Sequence, residues 1–146
     1  MTQYSYQDWF RRTTGQWTSQ RRYLFNMKTK EPTNMTTNFS IGALTEGEWD
    51  FQVIWTGQTE GVMNLKVLGN ELHRDIGYFT TSPTISKLEL VDQDTLVMRT
   101  SYDGKNFREE IRLLDGDSLR LRQTVGYDDL TGKPVIVGQY FEERTL

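Results

Sequence analysis

About ten short runs rich in Thr, Val, Ile, Tyr and Phe follow one another along this chain, with turn-forming residues between them. They span Trp17 to Phe25, Met35 to Ile41, Glu48 to Thr56, Gly61 to Leu68 and Glu71 to Phe79. The series continues with Thr84 to Val91, Thr95 to Tyr102, Phe107 to Leu113, Ser118 to Val125 and Lys133 to Glu142. Separators such as Leu68-Gly69-Asn70, Asp103-Gly104-Lys105-Asn106, Asp115-Gly116-Asp117 and Thr131-Gly132-Lys133 supply the positive φ that tight turns between antiparallel strands require. Short strands at regular spacing predict an antiparallel meander. A meander this long curls on itself, because closure removes the exposed edges. The expected fold is all-β: one antiparallel barrel of about ten strands, a single domain over residues 1–146.

One helix is predicted ahead of the strands, from Ser5 to Thr14. Ser5 is placed to cap it, Asp8 lies in its first turn, and Gly15 is placed to end it. Trp9 and Phe10 give it an apolar face, so it is expected to plug one end of the barrel. Trp17, just beyond, is expected in the floor.

Composition narrows the chemistry. A hydrophobic fraction of 36% with 12% aromatic residues suits a β-protein with a partly polar interior. The net charge of -3 argues against nucleic acid as a partner. With no cysteine and a single histidine, His73, the chain lacks thiolate ligands, a cysteine nucleophile and a histidine cluster, so no metal site is expected. The N-terminus MTQYSYQDWF carries no apolar run, so neither export nor a membrane is expected, and the cytoplasm is the expected location.

The run Leu119-Arg120-Leu121-Arg122-Gln123-Thr124 carries the clearest functional pattern. On a strand, Arg120, Arg122 and Thr124 share one face, the guanidinium groups spaced about 7 Å apart at the backbone, which suits two carboxylates or one two-armed anion. Upstream, Arg108, Glu110 and Arg112 also share one face. Alternation does not say which face is inside. Either these arginines meet solvent over a core of Leu119 and Leu121, or they line a cavity.

The chain resembles the S-type phycobiliprotein lyases (the CpcS/CpeS family), which attach open-chain tetrapyrrole bilins to light-harvesting proteins. The matching segments are Gly15-Gln16-Trp17-Thr18-Ser19-Gln20-Arg21, Val53-Ile54-Trp55-Thr56-Gly57, Arg74-Asp75-Ile76-Gly77-Tyr78, Glu109-Glu110-Ile111-Arg112, Leu119-Arg120-Leu121-Arg122 and Phe141-Glu142-Glu143-Arg144, in family order. A second family tryptophan would fall at Gly61. The resemblance implies a lipocalin-like barrel with a short N-terminal helix. It implies substrate-binding roles for Arg21, Arg120 and Arg122 on the bilin propionates, for Trp55 as an aromatic wall, and for Thr124. It implies Glu110 and Glu142 as the acidic groups that act on the pyrrole nitrogens.

The implied activity is that of a bilin lyase or lyase subunit. It would bind a phycobilin such as phycocyanobilin or phycoerythrobilin non-covalently, as substrate and not cofactor. It would then join the pigment by a thioether bond to a cysteine of a phycobiliprotein subunit. The implied partners are that subunit and a second copy or a second lyase subunit. A non-catalytic carrier, or the partner subunit of a heterodimeric lyase, is the alternative.

Overall fold

The computed structural model describes residues 5–26, 32–77 and 81–145. One helix, α1 (Tyr6–Arg12), precedes ten strands: β1 (Gly15–Phe25), β2 (Thr33–Ala43), β3 (Phe51–Gly57), β4 (Gly61–Leu68), β5 (Glu71–Arg74), β6 (Thr84–Leu90), β7 (Thr95–Tyr102), β8 (Lys105–Leu114), β9 (Leu119–Asp128) and β10 (Pro134–Thr145). Each strand pairs antiparallel with its sequence neighbours, and β1 pairs with β10, so the sheet is closed. The expected all-β barrel with an N-terminal helix is what forms. The fifth strand stops at Arg74, short of the predicted Phe79; Tyr78 and Phe79 lie outside the described residues.

The helix begins as the sequence predicts, with the Ser5 hydroxyl accepting from the Asp8 N–H. Its end differs from expectation: Thr13 in a right-handed conformation caps it, its hydroxyl donating to the Phe10 carbonyl. Gly15 instead opens β1 at φ +132°, where a Cβ would lie 2.4 Å from an Arg144 guanidinium nitrogen. That absent side chain lets Arg144 donate to the carbonyls of Thr14 and Arg12.

Trp9 and Phe10 are buried in a large apolar cluster with Trp17, Phe51, Met63, Leu72 and Leu96. A smaller cluster gathers Tyr23, Phe107, Ile136 and Tyr140. The helix is fastened to the barrel by polar contacts as well as by this burial. Trp9 Nε1 donates to the Asp94 carbonyl, and Arg12 reaches Asp94 Oδ1 at 2.6 Å and both Asp117 oxygens at 2.8 and 3.0 Å. Asp94 and Asp117 sit in the β6–β7 and β8–β9 turns, so one guanidinium ties the helix to two hairpins.

The Arg12 hydrogen bond holds the Asp117 carboxyl below its ordinary 3.8, against partial burial and with help from the charges of Arg12 and Arg144. A carboxyl lowered in the folded state contributes stability above its unfolded value and loses it as pH falls through the folded one. Thermal unfolding of Asp117→Asn is therefore expected to show a lower Tm than the parent at pH 7, with the gap closing below about pH 4. No gap at pH 7 would mean that Trp9 and Phe10 hold the helix without this contact, and a gap that persists in acid would mean that Asp117 acts through something other than its charge.

Candidate functional site

On β9 the usual amphipathic order is inverted. Arg120, Arg122 and Thr124 are buried inside the barrel, while Leu121 is 42% exposed on the outer wall. Register then decides what each arginine meets. Arg120 lies opposite Glu142 of β10, which lies opposite Ser19 of β1. One row along, Arg122 faces Tyr140, which faces Arg21. Two neighbouring rows across three strands thus hold the core of a polar site.

Glu142 is fully buried, with Arg120 Nε 3.1 Å from one oxygen and Arg21 Nη2 3.9 Å from the other. Burial alone pushes such a carboxyl up. The charges of Arg120 and Arg122, the Ser19 hydroxyl and the charge of Arg21 together outweigh it and hold Glu142 below 4.5. Arg122 has a second partner, Glu109 of β8, at 2.9 Å. Glu109 in turn lies 3.8 Å from Arg74 of β5, whose guanidinium donates to Ser86 Oγ at 2.5 Å and Thr100 Oγ1 at 3.2 Å. Tyr140 lies beneath two of these cations, Arg122 at 4.6 Å and Arg21 at 5.1 Å from its ring centre. Burial pushes its phenol above 10 against the nearby Arg122 charge, so it stays a neutral hydroxyl.

Among the described residues the buried charges are Arg74, Arg120, Arg122, Glu109 and Glu142, with Arg21 beside them at 12% side-chain exposure. Four cations stand against two anions, an excess of two positive charges in a low-dielectric interior. A net buried charge is costly in such an interior. A cavity of about 300 Å³ opens beside it, lined by Arg21, Tyr23, Met35, Trp55, Glu60 and Arg122. Trp55 leans over its cross-strand neighbour Gly61, where a Cβ would lie 2.1 Å from the indole. A larger recess of about 970 Å³ shares Arg21, Met35 and Arg122 with that cavity, touches Tyr140, and extends over outward side chains such as Gln20, Arg112, Leu121 and Phe141.

The structure brings Arg21, Arg120, Arg122, Thr124 and Glu142 together and sets Trp55 at the cavity. Glu110 stands on the opposite face of its strand and shares only the larger recess with Arg21 and Arg122. Inward positions on β8 are Phe107, Glu109, Ile111 and Leu113, so Arg108, Glu110 and Arg112 point outward. Glu110 lines the larger recess, its carboxylate 4.0 Å from Arg108. The period of two makes the correction a matter of one residue: the inward carboxylate is Glu109. Its phase with Phe107, Ile111 and Leu113 was the available signal, weakened because β9 turns its leucines outward. Sequence reasoning also missed Tyr140, Ser19 and Arg74. Arg74 and Asp75, adjacent in the chain, face different ways: Asp75 accepts from the Asn64 N–H and side-chain amide, and Arg74 points inside. His73 lies 3.3 Å from Glu71 at the surface, and no cluster of metal-ligating side chains occurs among the described residues.

The chain has several matches among known proteins. The family model described as "CpeS-like protein" matches residues 65–145, a stretch that includes Arg74, Glu109, Arg120, Arg122, Thr124 and Glu142. A protein of Nostoc sp. named "Putative phycocyanobilin lyase CpcS 2" is 29% identical, over 95% of this chain and 90% of its own length. A protein of Picosynechococcus sp. named "Putative chromophore lyase CpcV" is 26% identical, over 92% of this chain and 79% of its own. The solved structure of the S-type phycobiliprotein lyase CPES from Guillardia theta superposes with a TM-score of 0.76 at 17% identity, covering 97% of this chain and 93% of that one. That likeness is one of fold.

The two carboxylates make opposite demands on stability. Glu142→Ala leaves Arg120 buried without its partner and is expected to cost about 3–5 kcal/mol in urea denaturation. Glu110→Ala on the outer wall is expected to stay within about 0.5 kcal/mol of the parent. Equal losses for the two would contradict the strand phase described here.

Proposed function

The chain belongs to the CpeS-like protein family, and on that premise we propose that it is a bilin lyase, or a subunit of one, acting on a phycobilin and a phycobiliprotein. The observation that carries this reading is the excess of two positive charges beside an aromatic-walled cavity. A phycobilin carries two propionates, each matched by an arginine fork. Arg21 and Arg122 line the cavity, and Arg120 lies one row deeper against Glu142. These three arginines hold the propionates, Thr124 adds a hydroxyl, and Trp55 packs against the flat conjugated system. The names of the two curated relatives agree with this substrate class.

The cavity stands at the lower end of the range for ligand pockets, about 300–1,000 Å³. A four-ring pigment therefore fills it only in part and leaves the rest at the mouth, within reach of a second protein. Glu142 is a carboxylate at neutral pH, because its neighbours hold it below the ordinary range. Beside the pyrrole nitrogens it stabilises the protonated, electrophilic pigment. The thiol of the acceptor subunit then adds across the exocyclic double bond of ring A. Sulfur bonds to the side-chain carbon and the thiol proton passes to the pigment, with no change of oxidation state. This chain has no cysteine, so it has no thiol of its own to trap the pigment.

Mixing the protein with phycocyanobilin and a cysteine-containing apo-phycobiliprotein tests the reading. Colour that stays on the acceptor after denaturation is expected of a lyase. A shifted bilin spectrum without transfer marks a carrier or a subunit that needs a partner, and no spectral change would sink both. Arg120→Ala and Arg122→Ala are each expected to weaken bilin binding by about 1.5–3 kcal/mol, as for loss of a charge-assisted contact.

A further inference from the structure

Arg122 has two incompatible tasks in this site. It lines the cavity where an anionic guest would arrive, and its Nη2 is held 2.9 Å from the buried carboxylate of Glu109. Turning Arg122 toward a propionate takes its charge away from Glu109, which is 4% exposed and out of reach of bulk water. A buried carboxylate that loses its cation opposes that motion strongly.

The fold supplies a second cation. Arg74 lies 3.8 Å from the other Glu109 oxygen, is itself 3% exposed, and is absent from the cavity wall. Hydrogen bonds to Ser86 on β6 and Thr100 on β7 fix its guanidinium from behind. Those two hydroxyls also contact each other, so the support spans two strands. Arg74, Glu109 and Arg122 thus form a line running from the far wall of the barrel to the cavity.

We propose that Arg74 is a positioning residue that takes over the charge of Glu109 when Arg122 turns to the carboxylate of an incoming ligand. It does not touch the ligand. It lowers the electrostatic cost of releasing Arg122, and its effect is confined to ligands that recruit that arginine. The inference rests on the bilin-binding reading above.

The test uses fluorescence or absorbance titration with phycocyanobilin and with its propionate dimethyl ester. Arg74→Gln is expected to bind the free acid at least about tenfold more weakly than the parent, because Glu109 then holds Arg122 more tightly. The ester, which does not recruit Arg122, is expected to bind both proteins alike. Arg74→Lys, which keeps the charge, is expected to restore most of the affinity. Glu109→Gln removes the charge to be shielded, so Arg74→Gln in that background is expected to change affinity for the acid by less than about twofold. That double variant carries a neutral pair and still decides the matter should Arg74→Gln alone fail to fold. A tenfold loss that persists in the Glu109→Gln background, or an equal loss with the ester, would overturn the proposal. So would a single variant that binds like the parent. A parent protein that does not bind phycocyanobilin at all defeats the earlier functional reading instead.

Discussion

Pairing of β1 with β10 is the constraint on which the rest of this molecule depends. It converts a meander with two open edges into a wall with an inside and an outside. Once the wall is closed, the period of two sorts each strand's residues between solvent and interior, and every polar side chain on the inner face must find its partners there. Glu142 lies on one of the two closing strands and Ser19 opposite it on the other, so the closure and the most deeply buried carboxylate belong to the same row. The barrel floor depends on the same pairing: Trp17 lies opposite Arg144, whose guanidinium stacks 4.3 Å from its ring while bonding to the end of the helix.

The interior is built in parts with different physics. Near the helix, Trp9, Phe10, Trp17, Phe51 and Leu65 form an apolar core that supplies burial energy. Beyond it, four arginines and two glutamates occupy positions that a purely structural barrel would fill with aliphatic side chains. Well-packed apolar residues of similar volume are often as stable as a buried ion pair or more so. Stability alone therefore does not call for this layer, and the proposed bilin site gives its surplus of cations a use. The arginines are also stacked on aromatic rings, Arg120 near Trp17 and Phe39, Arg21 and Arg122 near Tyr140, which restrains them before a ligand arrives.

The candidate site was legible in the sequence to the extent that it lies on one strand. Arg120, Arg122 and Thr124 are two apart, so any strand through them puts all three on a common face. Glu109 and Glu110 are adjacent, so which of them faces the interior is a choice of strand phase. Phase is set by the pairing of Glu109 with Thr124 across β8 and β9, and that pairing is invisible in the chain itself. Arg74 was out of reach for a related reason. Its neighbour Asp75 offered an obvious local partner, while its actual partners, Ser86, Thr100 and Glu109, come from three other strands.

By itself the sequence determined the number and order of the strands, the helix start at Ser5, the lack of any thiol, and the common face of the paired arginines. These properties depend on local spacing, turn chemistry and composition, which neighbouring residues carry between them. Only the tertiary structure decided that the arginine face is the inner one, that Glu109 and not Glu110 is its counter-charge, and that Arg74 stands behind it. Each of those is a relation between strands distant in the chain, fixed when the barrel closes and a one-residue shift in register would reverse it.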